Sequence, residues 1–141
     1  KLAEDMINRL ELINENILNI SQYSTGLIDQ YVVKLKDRIK EMLQTDIVDE
    51  ARISQEVVLY ADKTSIEEEI TRLKSHIVQF KELLQSESIK KAGKRLDFII
   101  QEMNREVNTI GSKSNCLEIT NLVIELKTEL EDVREQVQNI E

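Results

Sequence analysis

Apolar residues recur along this chain at alternating spacings of three and four, the period of a helix that buries one face. The first series is Ile7, Leu10, Ile17, Ile28, Tyr31, Leu35 and Met42, which predicts a long helix over about residues 2 to 44 with a near-heptad seam. Asn14, Ser21 and Ser24 interrupt that seam and Gly26 follows, so a kink or break is expected between residues 21 and 26. Unbroken, the rod would reach roughly 65 Å at 1.5 Å per residue, and a stripe of that length needs a partner to cover it. A second helix is predicted from near Asp49 through Ile53, Val57 and Val58 to about Ala61. A third starts at a capping box formed by Ser65 and Glu68 and carries Ile66, Ile70, Leu73, Ile77, Phe80 and Leu84 on one face. The stretch Ser86 to Gly93 reads as a loop. Leu96, Ile99, Ile100, Met103, Val107 and Ile110 then line a fourth helix that Gly111 is expected to close. The loop from Ser112 to Asn115 leads into a last helix with Leu122 or Val123, Leu126, Leu130, Val133, Val137 and Ile140 in near-heptad register.

Composition supports the same picture. The 141 residues include no proline, three glycines and few aromatics, a balance that favours long helices over sheet. The predicted fold is all-α: long amphipathic helices forming an extended helical hairpin or bundle with coiled-coil character. No apolar run spans a membrane, and the N-terminus lacks the basic and apolar regions of a signal peptide, so a cytoplasmic protein without membrane contact is expected. Cys116 is the only cysteine and His76 the only histidine, which excludes an internal disulfide and a zinc site of the usual Cys/His kind. The chain opens on Lys1 inside a helical pattern, so a longer parent protein is expected.

Charge changes the functional picture locally. A net charge of −8 disfavours indiscriminate binding of nucleic acid. Yet residues 90 to 113 hold Lys90, Lys91, Lys94, Arg95, Arg105 and Lys113 against Asp97, Glu102 and Glu106, so this segment carries +3 and the remainder −11. Within it Asp97, Gln101, Asn104, Arg105 and Asn108 share one polar stripe about 100° wide on the fourth helix. Asparagine inside a helix costs roughly 0.5 kcal/mol relative to alanine. The stripe suits either a polar contact between helices or a surface that grips phosphate and sugar. Lys94 and Arg95 are expected at the start of that helix, where free N–H groups favour an anion; the plainer alternative is a solvated basic loop.

Glu69, Arg72 and His76 share one shoulder of the third helix, beside its apolar stripe. Cleaving RNA takes a base, an acid and positive charge on the phosphorane, and Glu, His and Arg supply them. Alternatively, carboxylates would hold Mg²⁺ or Mn²⁺ and let the metal make the nucleophile. Spacing does not choose between these, and a structural histidine beside a carboxylate is the commoner case. No Walker loop, dinucleotide fingerprint or nucleophile elbow is present. The scarcity of aromatics argues against stacking platforms and against sequence-specific readout.

The runs GKRLDFIIQEMNREVNTIGSKSN (Gly93 to Asn115), ELKTELEDVREQVQNIE (Glu125 to Glu141) and EEEITRLKSHIVQFKELL (Glu67 to Leu84) resemble the C-terminal region of the YicC/YloC family of bacterial endoribonucleases. QEVVLYADK (Gln55 to Lys63) fits the same pattern. The resemblance implies a long middle-segment helix over residues 1–45, a C-terminal helical domain over 46–141, and an N-terminal domain outside this chain. It implies metal-dependent cleavage of single-stranded RNA, a divalent cation (Mg²⁺ or Mn²⁺), a ring-like homo-oligomer such as a hexamer, and other RNA-decay proteins as partners. Carried over position by position, Glu69, His76, Glu102 and Glu106 become catalytic candidates. Arg72, Lys94, Arg95, Arg105, Asn108 and Lys113 become RNA-binding candidates, and Asp97, Glu102 and Glu106 metal ligands. The rival expectation is a helical oligomerisation or adaptor module in RNA turnover with no chemistry of its own.

Overall fold

The computed structural model describes residues 2–44, 49–114 and 116–139. The expected boundary between residues 45 and 46, Asn115 of the last loop and Ile140 of the last seam lie outside the described residues. The helices are α1 (Leu2–Thr25), α2 (Leu27–Leu43), α3 (Glu50–Thr64), α4 (Glu67–Ser86), α5 (Ile89–Lys113) and α6 (Leu117–Gln138). Among the described residues there is no strand, and no helix is long and apolar enough to cross a membrane.

Helices α1, α4, α5 and α6 form a bundle in which each packs on two of the others. Side-chain bonds fix neighbouring helices antiparallel: Arg9 to Asp132 and Asn16 to Glu129 between α1 and α6, Arg72 to Glu106 and Lys113 to Glu69 between α4 and α5. The stripes predicted on α4, α5 and α6 are the buried ones, with Ala92 and Ile119 added. On α1 the register differs. Met6, Leu10, Ile13, Ile17 and Ile20 face the core, while Ile7 is half-buried.

Helix boundaries correct four expectations. Ser88, not a long loop, starts α5: its hydroxyl accepts from the Lys91 N–H at 3.2 Å, so most of the stretch 86–93 is helical. Ser65 closes α3, its N–H donating to the Ala61 carbonyl, and α4 begins after Ile66 without a side-chain cap, so the expected capping box is absent and α3 outlasts Ala61. Gly111 remains helical. Its role is close approach, because a Cβ there would lie 3.3 Å from Val123 Cγ1 of α6.

The break at Gly26 is as expected. Ser24 Oγ donates to the Ser21 carbonyl at 2.9 Å and Thr25 Oγ1 to that of Gln22 at 2.8 Å, which draws carbonyls away from the helical ladder. Gly26 keeps right-handed dihedrals (φ −89°, ψ −8°), so α2 leaves α1 through a bend rather than a reversal. Helix α3 returns beside α2, with the Tyr31 and Tyr60 rings stacked at 3.8 Å and Lys36 3.5 Å from Glu50. The pair forms an arm inserted between α1 and α4. Its α2 buries no residue and its α3 only Ile53.

Candidate functional site

Where the arm rejoins the bundle, α4 and α5 share a charged seam. Glu69 is the most deeply buried charged residue described, its side chain 3% exposed. Lys113 Nζ donates to its two oxygens at 3.1 and 3.2 Å, and Arg72 Nη2 to one of them at 3.3 Å. Arg72 Nε also donates to both oxygens of Glu106 at 2.8 and 2.9 Å. That bond, more than the Coulombic pull of Glu106, Glu69 and Glu68, holds the guanidinium above its ordinary pKa against the opposing effect of desolvation. Two buried carboxylates thus meet two cations and the buried part of the cluster is neutral, with the exposed Glu68 at its rim 3.6 Å from Arg72. Lys113 further donates to the Ser65 carbonyl at 3.1 Å, tying α5 to the α3–α4 corner.

This pairing sorts the candidates. Glu69 and Glu106 have their oxygens occupied by cations, and Arg72 and Lys113 use their donors on those carboxylates. His76 and Glu102 do not join the cluster. The antiparallel register that sets Arg72 against Glu106 brings His76 to about the level of residue 102. His76 is half-buried and its Nδ1 has no hydrogen-bond partner among the described residues, while the half-buried Glu102 lies 3.9 Å from Arg105.

The expected metal ligands diverge. Nine residues at 100° each put Asp97 and Glu106 on opposite sides of α5. Asp97 turns to α6, where Arg134 Nε lies 3.6 Å away, and accepts from Gln101 at 3.2 Å. Among the described residues no three His, Cys, Asp or Glu side chains gather closely enough to hold a metal ion. The residues present do not fit the expected cation by themselves.

Lys94 and Arg95 also move. They sit more than a turn inside α5, so the backbone N–H groups there belong to the helical ladder, and Arg95 is paired with Glu87. The proposed anion site at a helix start is therefore not formed by them. The polar stripe faces mainly outward: Gln101, Arg105 and Asn108 are exposed, Asn104 is half-buried, and Asp97 reaches across to Arg134 of α6. Gln101, Asn104, Arg105 and Asn108 line a shallow groove along α5 together with Thr109 and Ser112.

Comparison with known proteins decides the lineage. The family described as "Endoribonuclease YicC-like, C-terminal" matches residues 20–141, nearly the whole of the chain. The chain belongs to the YicC-like endoribonuclease family. A protein named probable endoribonuclease YicC from Clostridioides difficile (strain 630) is 54% identical over 143 residues, covering 100% of this chain and 48% of the relative. Another of the same name, from Haemophilus influenzae (strain ATCC 51907 / DSM 11121 / KW20 / Rd), is 40% identical over 94 residues, covering 67% of this chain and 32% of the relative. The chain thus spans about half of the first YicC relative or less of the second.

Two parts of this YicC-like site escaped the sequence pattern. Arg134 of α6 balances Asp97 from 3.6 Å, a pairing between helices that the periodicity of neither one signals. Phe98 lies off the buried stripe of α5 and is exposed, a position visible from periodicity once the buried face is fixed.

Proposed function

We propose that the whole protein cleaves RNA phosphodiester bonds and that this chain supplies its backbone-gripping face and an acid/base pair. The observation that carries the proposal is the outward line of α5, where Lys94, Gln101, Arg105 and Asn108 stand exposed with no carboxylate among them on a chain of net charge −8. Amide and guanidinium donors suit phosphate and sugar oxygens. His76 and Glu102, free of the neutral cluster, are the side chains available for proton transfer. Glu69, Arg72, Glu106 and Lys113 act as positioning residues that fix α4 against α5. The names of the relatives support RNA as the substrate class. Dependence on Mg²⁺ or Mn²⁺ is proposed for the whole protein from the family resemblance alone, and no step is assigned to a metal here.

The test is cleavage of a labelled single-stranded RNA by the whole protein with Mn²⁺, with Mg²⁺ and with EDTA. His76→Ala and Glu102→Ala are each expected to lower the rate about 10²-fold or more, the usual contribution of a positioned acid or base, with the melting temperature kept. Wild-type rates in both variants would remove the site assignment.

A second reading rests on the arm. Val33, Met42, Leu43, Val58 and Leu59 are exposed apolar side chains on α2 and α3, so we infer that the arm joins copies of the chain into a homo-oligomer. Sedimentation of the whole protein checks it: Met42→Ser with Leu59→Ser should shift the population to smaller species. If these variants sediment as wild type does, the arm is not the joint.

A further inference from the structure

Lys94, Phe98, Gln101, Arg105, Asn108 and Ser112 follow one another on α5 at alternating spacings of four and three, so they share one line about 27 Å long at 1.5 Å per residue. All six are exposed. The acidic neighbours turn aside, Asp97 to Arg134 on α6 and Glu106 to Arg72 on α4, and Glu102 at the edge of the line lies 3.9 Å from Arg105. Phe98 is the anomaly. The residue is 61% exposed, while Leu96, Ile99, Ile100, Met103, Val107 and Ile110 of the same helix are buried. Folding of the bundle makes little use of it. It stands one turn from Lys94 on one side and from Gln101 on the other, with Arg105 a further turn on.

We propose that Phe98 is a base-stacking platform for a single-stranded polynucleotide lying along α5, with Lys94 and Arg105 on phosphates to either side of the stacked base. The inference rests on the RNA reading above, single strand included, and adds to it a contact residue and the way that residue holds a base. A duplex hides its base faces within the stack, whereas a single strand presents them, so an exposed ring flanked by cations selects the latter. Few aromatics in a chain weaken the case for stacking in general, but one correctly placed ring suffices for one base. The rival occupant is a protein surface. Protein interfaces gather apolar side chains at their centre, and Phe98 is the one large exposed apolar side chain on α5 among the described residues. Lys94, Gln101 and Arg105 share its line instead, with Glu102 at the edge held toward Arg105.

The experiment measures binding by the whole protein of an uncleavable 2′-O-methyl oligonucleotide in EDTA, alongside an oligonucleotide of equal charge that is abasic throughout. Phe98→Ala should weaken binding of the base-bearing strand about tenfold or more and leave the abasic strand unaffected, and Phe98→Trp should restore it. The slope of log affinity against log salt should be unchanged in Phe98→Ala and reduced by about 0.7 in Lys94→Ala and in Arg105→Ala. Wild-type binding with no selective loss in Phe98→Ala would overturn the platform and leave the RNA reading standing. A change of sedimentation in Phe98→Ala would also overturn it, in favour of a protein contact. Failure of the wild-type protein to bind either strand would overturn both.

Discussion

The bundle and the arm are built from helices of similar amphipathicity, yet they reach opposite ends of the burial scale. In the bundle, α1, α4, α5 and α6 send their apolar stripes into one shared core. In the arm, two helices meet along a single line, hold each other through Tyr31 on Tyr60 and Lys36 near Glu50, bury Ile53, and leave Val33, Met42, Leu43, Val58 and Leu59 to solvent. Two helices cannot enclose a core, because each has a stripe wider than one neighbour covers. The difference therefore separates what the chain stabilises by itself from what it offers to a partner.

The sharpest way to break that contrast is to delete apolar volume in both regions. Phe80 is fully buried, and Phe80→Ala is expected to cost about 3–5 kcal/mol, the range for a large side chain removed from a packed core. Leu59 is 63% exposed, and Leu59→Ala should change stability by no more than about 0.5 kcal/mol. Denaturant titration of the two variants at low protein concentration checks both. A large loss in Leu59→Ala under dilute conditions would mean that the arm packs more tightly than its exposure implies.

The next effect probes the joint between the regions. Lys113→Met leaves the buried Glu69 with Arg72 as its remaining cation and frees the Ser65 carbonyl, and should cost on the order of 2 kcal/mol. Hydrogen exchange should quicken in the last turn of α3 more than in α6. Uniform quickening across the bundle would show instead that Lys113 supports the core and not the root of the arm.

Periodicity made the bundle legible and the site only partly so. The stripes of α4, α5 and α6 were readable because their apolar residues recur without competitors on the other faces, whereas α1 also carries Ile7, Leu12 and Leu18, which hide the Met6, Ile13 and Ile20 register. Glycine misled at position 111, where the missing Cβ serves the contact with Val123 and not a turn. Ser88 was missed because Lys90, Lys91 and Gly93 resemble loop composition, although a serine before an apolar residue is an ordinary helix start. At the site, same-helix geometry brought Glu69 and Arg72 together correctly. It could not reveal that Glu106 and Lys113 of α5 complete the cluster, since that depends on the register between two helices.

The smallest predicted effect distinguishes two seams of the same bundle. Between α4 and α5, cations neutralise the buried acids. Between α1 and α6, Glu129 has the Asn16 amide at 3.0 Å and only a more distant attraction to Arg9, while desolvation, Glu125 and Asp132 push its pKa upward. Desolvation is the largest of these. A carboxyl whose folded pKa lies above the unfolded value of 4.5 opposes folding while ionised, and that penalty is relieved as pH falls through the raised folded pKa. Glu129→Gln keeps an oxygen for Asn16 and removes the charge. Because the group is partly solvated, the gain at pH 7 should be only about 0.3–0.5 kcal/mol. It should shrink as pH falls and the wild-type carboxyl takes up its proton. Thermal melts of the two proteins from pH 7 down to pH 4 measure this, and a difference that grew on acidification would show that ionised Glu129 stabilises the α1–α6 seam.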